Sequence, residues 1–156
     1  MYKKIMVPLD GSKLAECVFP HLETIVKGCK AAKVIFVQAV EPLSIPYGRG
    51  MSQLTSLEQV KAFETHQKVE AEKYLKEIVA RFGKTGANTK ADVIYGKASE
   101  VLSDYATKHD VDLVIIATHG RSGVSRWVWG SVADRLVRSV SAPVLMVRAP
   151  GCAPGV

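Results

Sequence analysis

The stretch DLVIIATHGRSGVSRWVWGSVAD, residues 112–134, is the part of the sequence that indicates the fold most clearly. Its first seven residues, DLVIIAT, are the most apolar short run of the chain, which is typical of a β-strand buried on both faces. A polar segment with two arginines follows, and Ser131-x-x-Asp134 then matches a capping box at a helix start. The stretch therefore predicts a buried strand, a long loop and a short helix whose core-facing residues are Val132, Leu136 and Val137.

The same alternation of apolar runs and helical spacing extends over the whole chain. Further strands are predicted over residues 2–9, 33–40, 89–95 and 143–147, and helices over 14–27, from 55 or 56 to 83, and after Gly96. Ser12 is the expected N-cap of the first helix, Pro20 is expected to kink it, and residues 41–55 form a long loop. The helical spacing places Leu14 and Phe63 among the core-facing residues. This order predicts a doubly wound, all-parallel α/β sheet with helices on both faces.

Composition predicts a single soluble domain. A chain of 156 residues, 47% hydrophobic and 23% charged, fits one domain over residues 1–149 with a flexible tail over 150–156. No apolar run approaches the ~20 residues that span a bilayer, and the N-terminus does not resemble a signal peptide. Three widely spaced cysteines without a C-x-x-C pair favour the cytoplasm. The net charge of +6 attracts phosphates of any kind, but the lysines are dispersed without a block of like charge, so no nucleic-acid partner is predicted. No membrane partner is predicted either.

The loop after the 112–118 strand has features of an anion site. The carboxyl ends of parallel strands share one edge, and this loop leaves from that edge. Gly120 and Gly123 let the backbone approach a ligand closely, while Gly130 and Ser131 stand at a helix start, where N–H groups and the helix dipole favour an anion. A phosphate held there, with Arg121 nearby, is one interpretation. A capping box at Ser131 and an ordinary turn at Gly123 are the alternatives.

Several nucleotide-binding and catalytic motifs are absent from the sequence. There is no G-x-x-x-x-G-K-[ST], no G-x-G-x-x-G after the first strand and no G-x-S-x-G. The four histidines are scattered without metal-ligand spacing, so no metal site made of protein ligands alone is predicted. These absences argue against a Walker-type NTPase, a dinucleotide dehydrogenase and an α/β-hydrolase.

Taken together, several segments resemble the universal stress protein family. They cover nearly the whole chain and are KKIMVPLDGS, VIFVQAV, GKASEVLSDYA and above all VDLVIIATHGRSGVSRWVWGSVADRLVRSVSAPVLMVR. The resemblance implies a Rossmann-like sheet of five strands in the order 3-2-1-4-5. It also implies a homodimer in which the last strand, from Pro143 to Arg148, lies antiparallel against its mate.

The nucleotide-binding branch of that family carries the pattern G-x2-G-x9-G-[ST]. Gly120, nine further residues and Gly130-Ser131 match it, whereas Ala117 stands where the first glycine is expected. The resemblance implies binding of ATP or AMP, with Mg²⁺ held through the phosphates. It places the adenine near Pro8, Leu9 and the backbone of Ala39, and Asp10 at the ribose or Mg²⁺. It places Ile116 and Ala117 along the ribose. The residues that it places at the phosphates are Gly120, Arg121, Gly130, Ser131 and Val132.

The sequence is compatible with three functions. The resemblance favours a cytoplasmic homodimer that binds an adenine nucleotide as a regulatory signal and acts on an unidentified partner protein. No general base or water-positioning residue stands out, so no catalytic residue is predicted. The alternatives are a slow ATPase that uses Asp10 and Mg²⁺, and a nucleotide-independent interaction module in which Ala117 marks a lost ligand site.

Overall fold

The computed structural model describes residues 2–29, 33–42, 57–118 and 130–148. Neighbouring strands pair in parallel in the order β3-β2-β1-β4-β5, which confirms the predicted doubly wound sheet. The strands are β1 (Lys4–Pro8), β2 (Lys33–Val40), β3 (Asn88–Tyr95), β4 (Leu113–Thr118) and β5 (Val144–Arg148). The 150–156 tail lies outside the described residues, so the limits of the predicted domain stay a prediction.

Four α-helices connect the described strands. They are α1 (Phe19–Cys29), α2 (Leu57–Phe82), α3 (Ala98–Lys108) and α4 (Ser131–Ser139), with short 3₁₀ helices at Ala15–Val18 and Gly83–Thr85. The bounds of β2 and the end of α2 agree with the sequence prediction. The predicted start of this helix at residue 55 or 56, and all of the 41–55 loop except its first two residues, lie outside the described residues.

The first connection differs from the single kinked helix that the sequence predicts. The chain forms a 3₁₀ helix first and becomes α-helical at Phe19, so Pro20 is the second residue of α1. In the first turn of a helix an N–H has no intrahelical partner, so proline is tolerated there without a kink. The predicted N-cap position of Ser12 is wrong, since Leu14 is the N-cap of the 3₁₀ helix, but the Ser12 hydroxyl oxygen does accept a hydrogen bond from the N–H of Ala15 at 3.2 Å.

The core has two layers, one on each face of the sheet. The first lies under α1 and α2, where Phe19, Phe36 and Phe82 pack edge to face or tilted, with ring centroids 4.8–6.2 Å apart. The second lies under α3 and α4 and includes Met6, Val114 and Leu136, all fully buried. Because β1, β2 and β4 face helices on both sides, their apolar runs are nearly continuous.

Three residues that the helical spacing places in the core are exposed. Leu14, Phe63 and Val137 retain 49%, 44% and 49% of their accessible surface. Phe63 belongs to the first half of α2, whereas from residue 58 onward the buried residues of this helix all lie in its second half: Ala71, Leu75, Ile78 and Phe82. A 26-residue helix is ~39 Å long and an eight-residue strand only ~26 Å, so the sheet cannot cover all of α2.

No helix within the described ranges is long and apolar enough to cross a membrane.

Candidate functional site

The strands β1 and β4 separate toward their carboxyl ends. They pair at Ile5–Leu113 and Met6–Val114, whereas β1 pairs with β2 along its whole length, from Lys4 to Pro8. The first crossovers run from β1 toward β3 and the last ones from β4 toward β5, so the strand order reverses between β1 and β4. A crevice at this place is where open α/β sheets bind ligands.

The end of β1 brings Pro8, Leu9 and Asp10 to one side of this crevice. Leu9 is anchored by the hydrogen bond that its N–H donates to the carbonyl of Val37 at 2.9 Å. Asp10 is exposed, and its Oδ1 accepts the N–H of Ser12 at 2.9 Å. Gly11 between them has φ +80°, a conformation that L side chains rarely adopt. This turn keeps the Asp10 carboxylate at the carboxyl edge.

The end of β2 supplies the predicted Ala39. It is half-buried, packs against the second core layer and stands opposite Ile94 of β3. The next strand residue, Val40, accepts a hydrogen bond from the N–H of Gly96 at 3.1 Å, which ties the start of the α3 connection to the end of β2.

The end of β4 supplies Ile116 and Ala117 on the other side of the crevice. Both are buried, at 6% and 7% exposure. Ile116 belongs to the second core layer and Ala117 to the first, together with Ile115 and Val147. The methyl group that replaces the family glycine therefore packs into the core under the sheet.

The start of α4 corrects the capping-box interpretation of Ser131. Gly130 is the N-cap, with φ −48° and no side-chain hydrogen bond, and Ser131 is the exposed first residue of the helix. The Asp134 carboxylate does not reach back to the cap. Both of its oxygens instead accept hydrogen bonds from Arg138 Nε at 3.0 Å. Val132 is half-buried and packs against the second core layer.

Gly130 has no structural requirement for glycine among the described atoms. Its φ is negative, and a Cβ built on it meets nothing within 4 Å. The space beside this backbone is therefore open to a group that is not part of the described chain. The remaining predicted phosphate residues, Gly120, Arg121 and Gly123, lie outside the described residues.

A cavity of about 620 Å³ opens at the same edge of the sheet, between the ends of β1 and β2 and the middle of α2. Asp10 and Ala39 belong to its lining, and the other lining residues are Gly11, Gln38, Val40, Glu41, His66, Gln67, Glu70, Ala71, Lys73, Tyr74 and Glu77. No pattern in the sequence analysis predicted this cavity. The one available signal was Gln38, a polar residue within the otherwise apolar run of β2.

Three residues that line the cavity carry a buried side-chain oxygen without a hydrogen-bond partner among the described residues. These oxygens are Gln38 Oε1, Gln67 Oε1 and the hydroxyl oxygen of Tyr74. Burial, followed by the nearby carboxylates of Glu16 and Asp10, raises the pKa of Tyr74 to about 12, although Arg81 acts in the opposite direction. The Tyr74 hydroxyl therefore stays protonated at neutral pH.

The described part of the chain contains no group of three or more His, Cys, Asp or Glu side chains that could hold a metal ion.

Comparisons with known proteins agree with this architecture. A sequence model of the universal stress protein family matches residues 1–148. Universal stress protein MJ0577 of Methanocaldococcus jannaschii is 28% identical over 156 residues, which cover 95% of this chain and 96% of that protein. The solved structure of MJ0577 superposes with a TM-score of 0.80 over 97% of this chain and 99% of that one, at 24% identity.

Two further solved structures share the fold and contain a nucleotide. One is a universal stress protein in complex with cAMP, with a TM-score of 0.67 and 20% identity over 95% of this chain and 98% of that one. The other is a universal stress protein family protein of Arabidopsis thaliana with AMP bound, with a TM-score of 0.67 and 17% identity over 96% of this chain and 93% of that one.

Proposed function

The chain belongs to the universal stress protein family, and we propose that it binds an adenine nucleotide, ATP or AMP, in the crevice between β1 and β4. The observation that carries this proposal is the separation of these two strands after Met6 and Val114. It brings the predicted residues at the ends of β1, β2 and β4 to one edge. The start of α4 packs against the same core layer as Ala39 and Ile116.

In this arrangement the base lies near Pro8, Leu9 and the backbone of Ala39, and the ribose near Ile116 and Ala117. The phosphates are held at the start of α4 by Gly130, Ser131 and Val132, with Gly120, Arg121 and Gly123 of the loop. The open space beside Gly130 and the uncapped helix start support this placement, because backbone N–H groups at a helix N-terminus bind phosphate. Asp10 is placed to approach the ribose or a Mg²⁺ ion that is held by the phosphates.

We further propose a regulatory rather than a catalytic role, in the cytoplasm and through a protein partner. Among the described residues at the crevice, Asp10 is the one side chain of the predicted set that could act on a nucleotide or its Mg²⁺. Its carboxylate already accepts a hydrogen bond from the backbone of Ser12, so it is a poor candidate for a general base. Ligand-dependent change in a partner's activity, without turnover, is the expected behaviour.

The proposed homodimer forms through β5. This strand is at the edge of the sheet, so one row of its backbone hydrogen-bonding groups faces away from β4. An antiparallel match between the strands from Pro143 to Arg148 of two copies covers both edges. Sedimentation should then give twice the chain mass of 16.9 kDa. A monomer at micromolar concentration would contradict this part of the proposal.

The first experiment is calorimetric titration of the purified protein with ATP and with AMP, after a denatured sample has been checked for co-purified nucleotide. Gly130→Leu is expected to abolish binding and leave the fold intact, because the space that its side chain fills is open. Gly28→Ala is the matched control, since Gly28 is also free of neighbours within 4 Å but lies in α1, away from the crevice.

Three outcomes are informative. Binding that Gly130→Leu removes and Gly28→Ala retains supports the proposed site. No heat and no co-purified nucleotide would overturn nucleotide binding and favour the interaction module. ATP turnover that Asp10→Ala abolishes, while binding persists, would replace the regulatory proposal with a slow ATPase.

A further inference from the structure

All of the buried side-chain oxygens that lack a partner in the described residues line one cavity. Gln38 Oε1, Gln67 Oε1 and the Tyr74 hydroxyl come from β2 and from two positions of α2. More than nine in ten buried polar groups in proteins are hydrogen-bonded, and leaving one unpaired is unfavourable. Three such oxygens, all on residues that line one cavity of about 620 Å³, have no partner among the described residues and are therefore candidates to bind a ligand.

This cavity adjoins the proposed nucleotide crevice but extends to the opposite face of the sheet. Gln38 and Ala39 are successive strand residues, so their side chains point to opposite faces of the sheet. Ala39, Ile116 and Val132 pack on the layer of α3 and α4, whereas the cavity is closed by α2 from the other layer. None of Gly130, Ser131 and Val132 belongs to its lining. The two sites share Asp10 and Ala39 at their common edge.

The charges around the cavity select the kind of ligand. Its lining contains four carboxylates, those of Asp10, Glu41, Glu70 and Glu77, against the single ammonium group of Lys73. The protein as a whole has a net charge of +6, so this local excess of acid is opposite to the overall balance. Burial is the largest cause of the raised pKa of Tyr74, and the carboxylates of Glu16 and then Asp10 add to it. Phosphates and other anions are disfavoured there.

We propose that the cavity is a second binding site, which takes the primary ammonium group of a small organic amine. An ammonium group has three N–H donors and no acceptor, which matches a set of three oxygens that each lack a donor. The rotation about the last side-chain bond of glutamine is soft, so both carboxamides can turn their oxygens toward the ligand. The surrounding carboxylates stabilise the positive charge. This proposal goes beyond nucleotide binding and does not rest on it.

The test is calorimetric titration with putrescine at constant ionic strength, with 1,4-butanediol as the uncharged probe of similar length. The wild-type protein is expected to bind putrescine at one saturable site and not to bind the diol. Tyr74→Phe and Gln67→Met each remove one oxygen that accepts a hydrogen bond from a charged donor, so each should weaken putrescine binding about tenfold or more. Tyr95→Phe is the matched control, because Tyr95 is 52% exposed at the end of β3 and outside the cavity.

Thermal unfolding of the same variants separates loss of ligand from loss of fold. Removing an unpaired hydroxyl should leave the melting temperature of the ligand-free protein unchanged or higher. The proposal is overturned if putrescine gives no saturable heat, or if the two cavity variants bind it as tightly as the wild type. It is also overturned if putrescine does not bind and Tyr74→Phe instead abolishes binding of adenosine, because the cavity is then the base pocket. Putrescine binding without any binding of ATP would leave this site intact and reject the nucleotide proposal alone.

Discussion

The carboxylate of Glu41 accepts a hydrogen bond at 2.9 Å from the backbone N–H of Ala98, 57 residues away along the chain. Ala98 is the first residue of α3, and its N-cap, Lys97, makes no side-chain hydrogen bond. A side chain at the end of β2 therefore caps a helix that follows β3. The contact joins two neighbouring strand ends at the edge where the crevice and the cavity open.

Replacing Glu41 tests this cap. Glu41→Ala should lower the free energy of unfolding by about 1 kcal/mol, since it removes the acceptor for an N–H at a helix start. Glu41→Gln keeps an acceptor oxygen at the same position and should lose less than half of that. Urea denaturation followed by circular dichroism measures both. Equal loss in the two variants would mean that the charge at the helix start, and not the hydrogen bond, is what stabilises α3.

Gly96 precedes this helix in a conformation that only glycine adopts readily. Its φ is +129°, and a Cβ at this position would lie 2.5 Å from Val101 Cγ1. Gly96→Ala should therefore destabilise the fold by about 1–3 kcal/mol. The double variant Gly96→Ala/Val101→Ala should be less destabilised than the sum of the two single changes, because the steric part of the strain is relieved. Simple additivity in this denaturation cycle would show that the backbone conformation alone accounts for the loss.

Ala117→Gly restores the glycine that the family pattern expects. The Ala117 methyl group is buried in the first core layer, so its removal should lower stability by about 1 kcal/mol. Because that methyl points into the core, the affinity for ATP should change by no more than about twofold. A tenfold gain in ATP affinity would show instead that the methyl group hinders the ligand.

Ionisation of Asp92 makes the free energy of unfolding depend on pH in the acid range. Burial favours its neutral form, but hydrogen bonds from Lys90 at 2.8 Å and from the Tyr105 hydroxyl hold the pKa of this carboxyl below its usual range. A lowered folded-state pKa stabilises the protein above the unfolded-state value of about 3.9, and this contribution is lost as the pH falls through the folded-state pKa.

Asp92→Asn should therefore be less stable than the wild type at pH 6, by about 1 kcal/mol, and the difference should shrink toward pH 3. Urea midpoints at several pH values give the comparison. Asp104→Asn, an exposed change on α3, is the control and should keep the wild-type pH profile. A constant difference between wild type and Asp92→Asn over this range would show that ionisation of Asp92 is not linked to folding.

Local sequence patterns predict much of the fold. The run KVIFVQAV predicts β2 with the bounds that the structure has, and the spacing of Ala71, Leu75, Ile78 and Phe82 predicts the core-facing side of α2. Both follow from the period of the element and from the apolar residues that repeat at that period. The predictions for Leu14, Phe63 and Val137 are wrong because periodicity identifies a face of a helix but not how far its neighbours extend.

The carboxyl edge of the sheet combines features that local sequence patterns predict with others that depend on packing. The sequence determined that Pro8, Ala39 and Ile116 stand at the ends of parallel strands, since strand order and connection handedness follow from local elements. Three other features follow only from the tertiary structure. The strands β1 and β4 separate after Met6 and Val114, and Glu41 caps α3. In addition, Gln38, Gln67 and Tyr74 line one cavity. These relationships join residues up to 108 positions apart. They depend on distances between packed elements, which no local pattern of residues encodes.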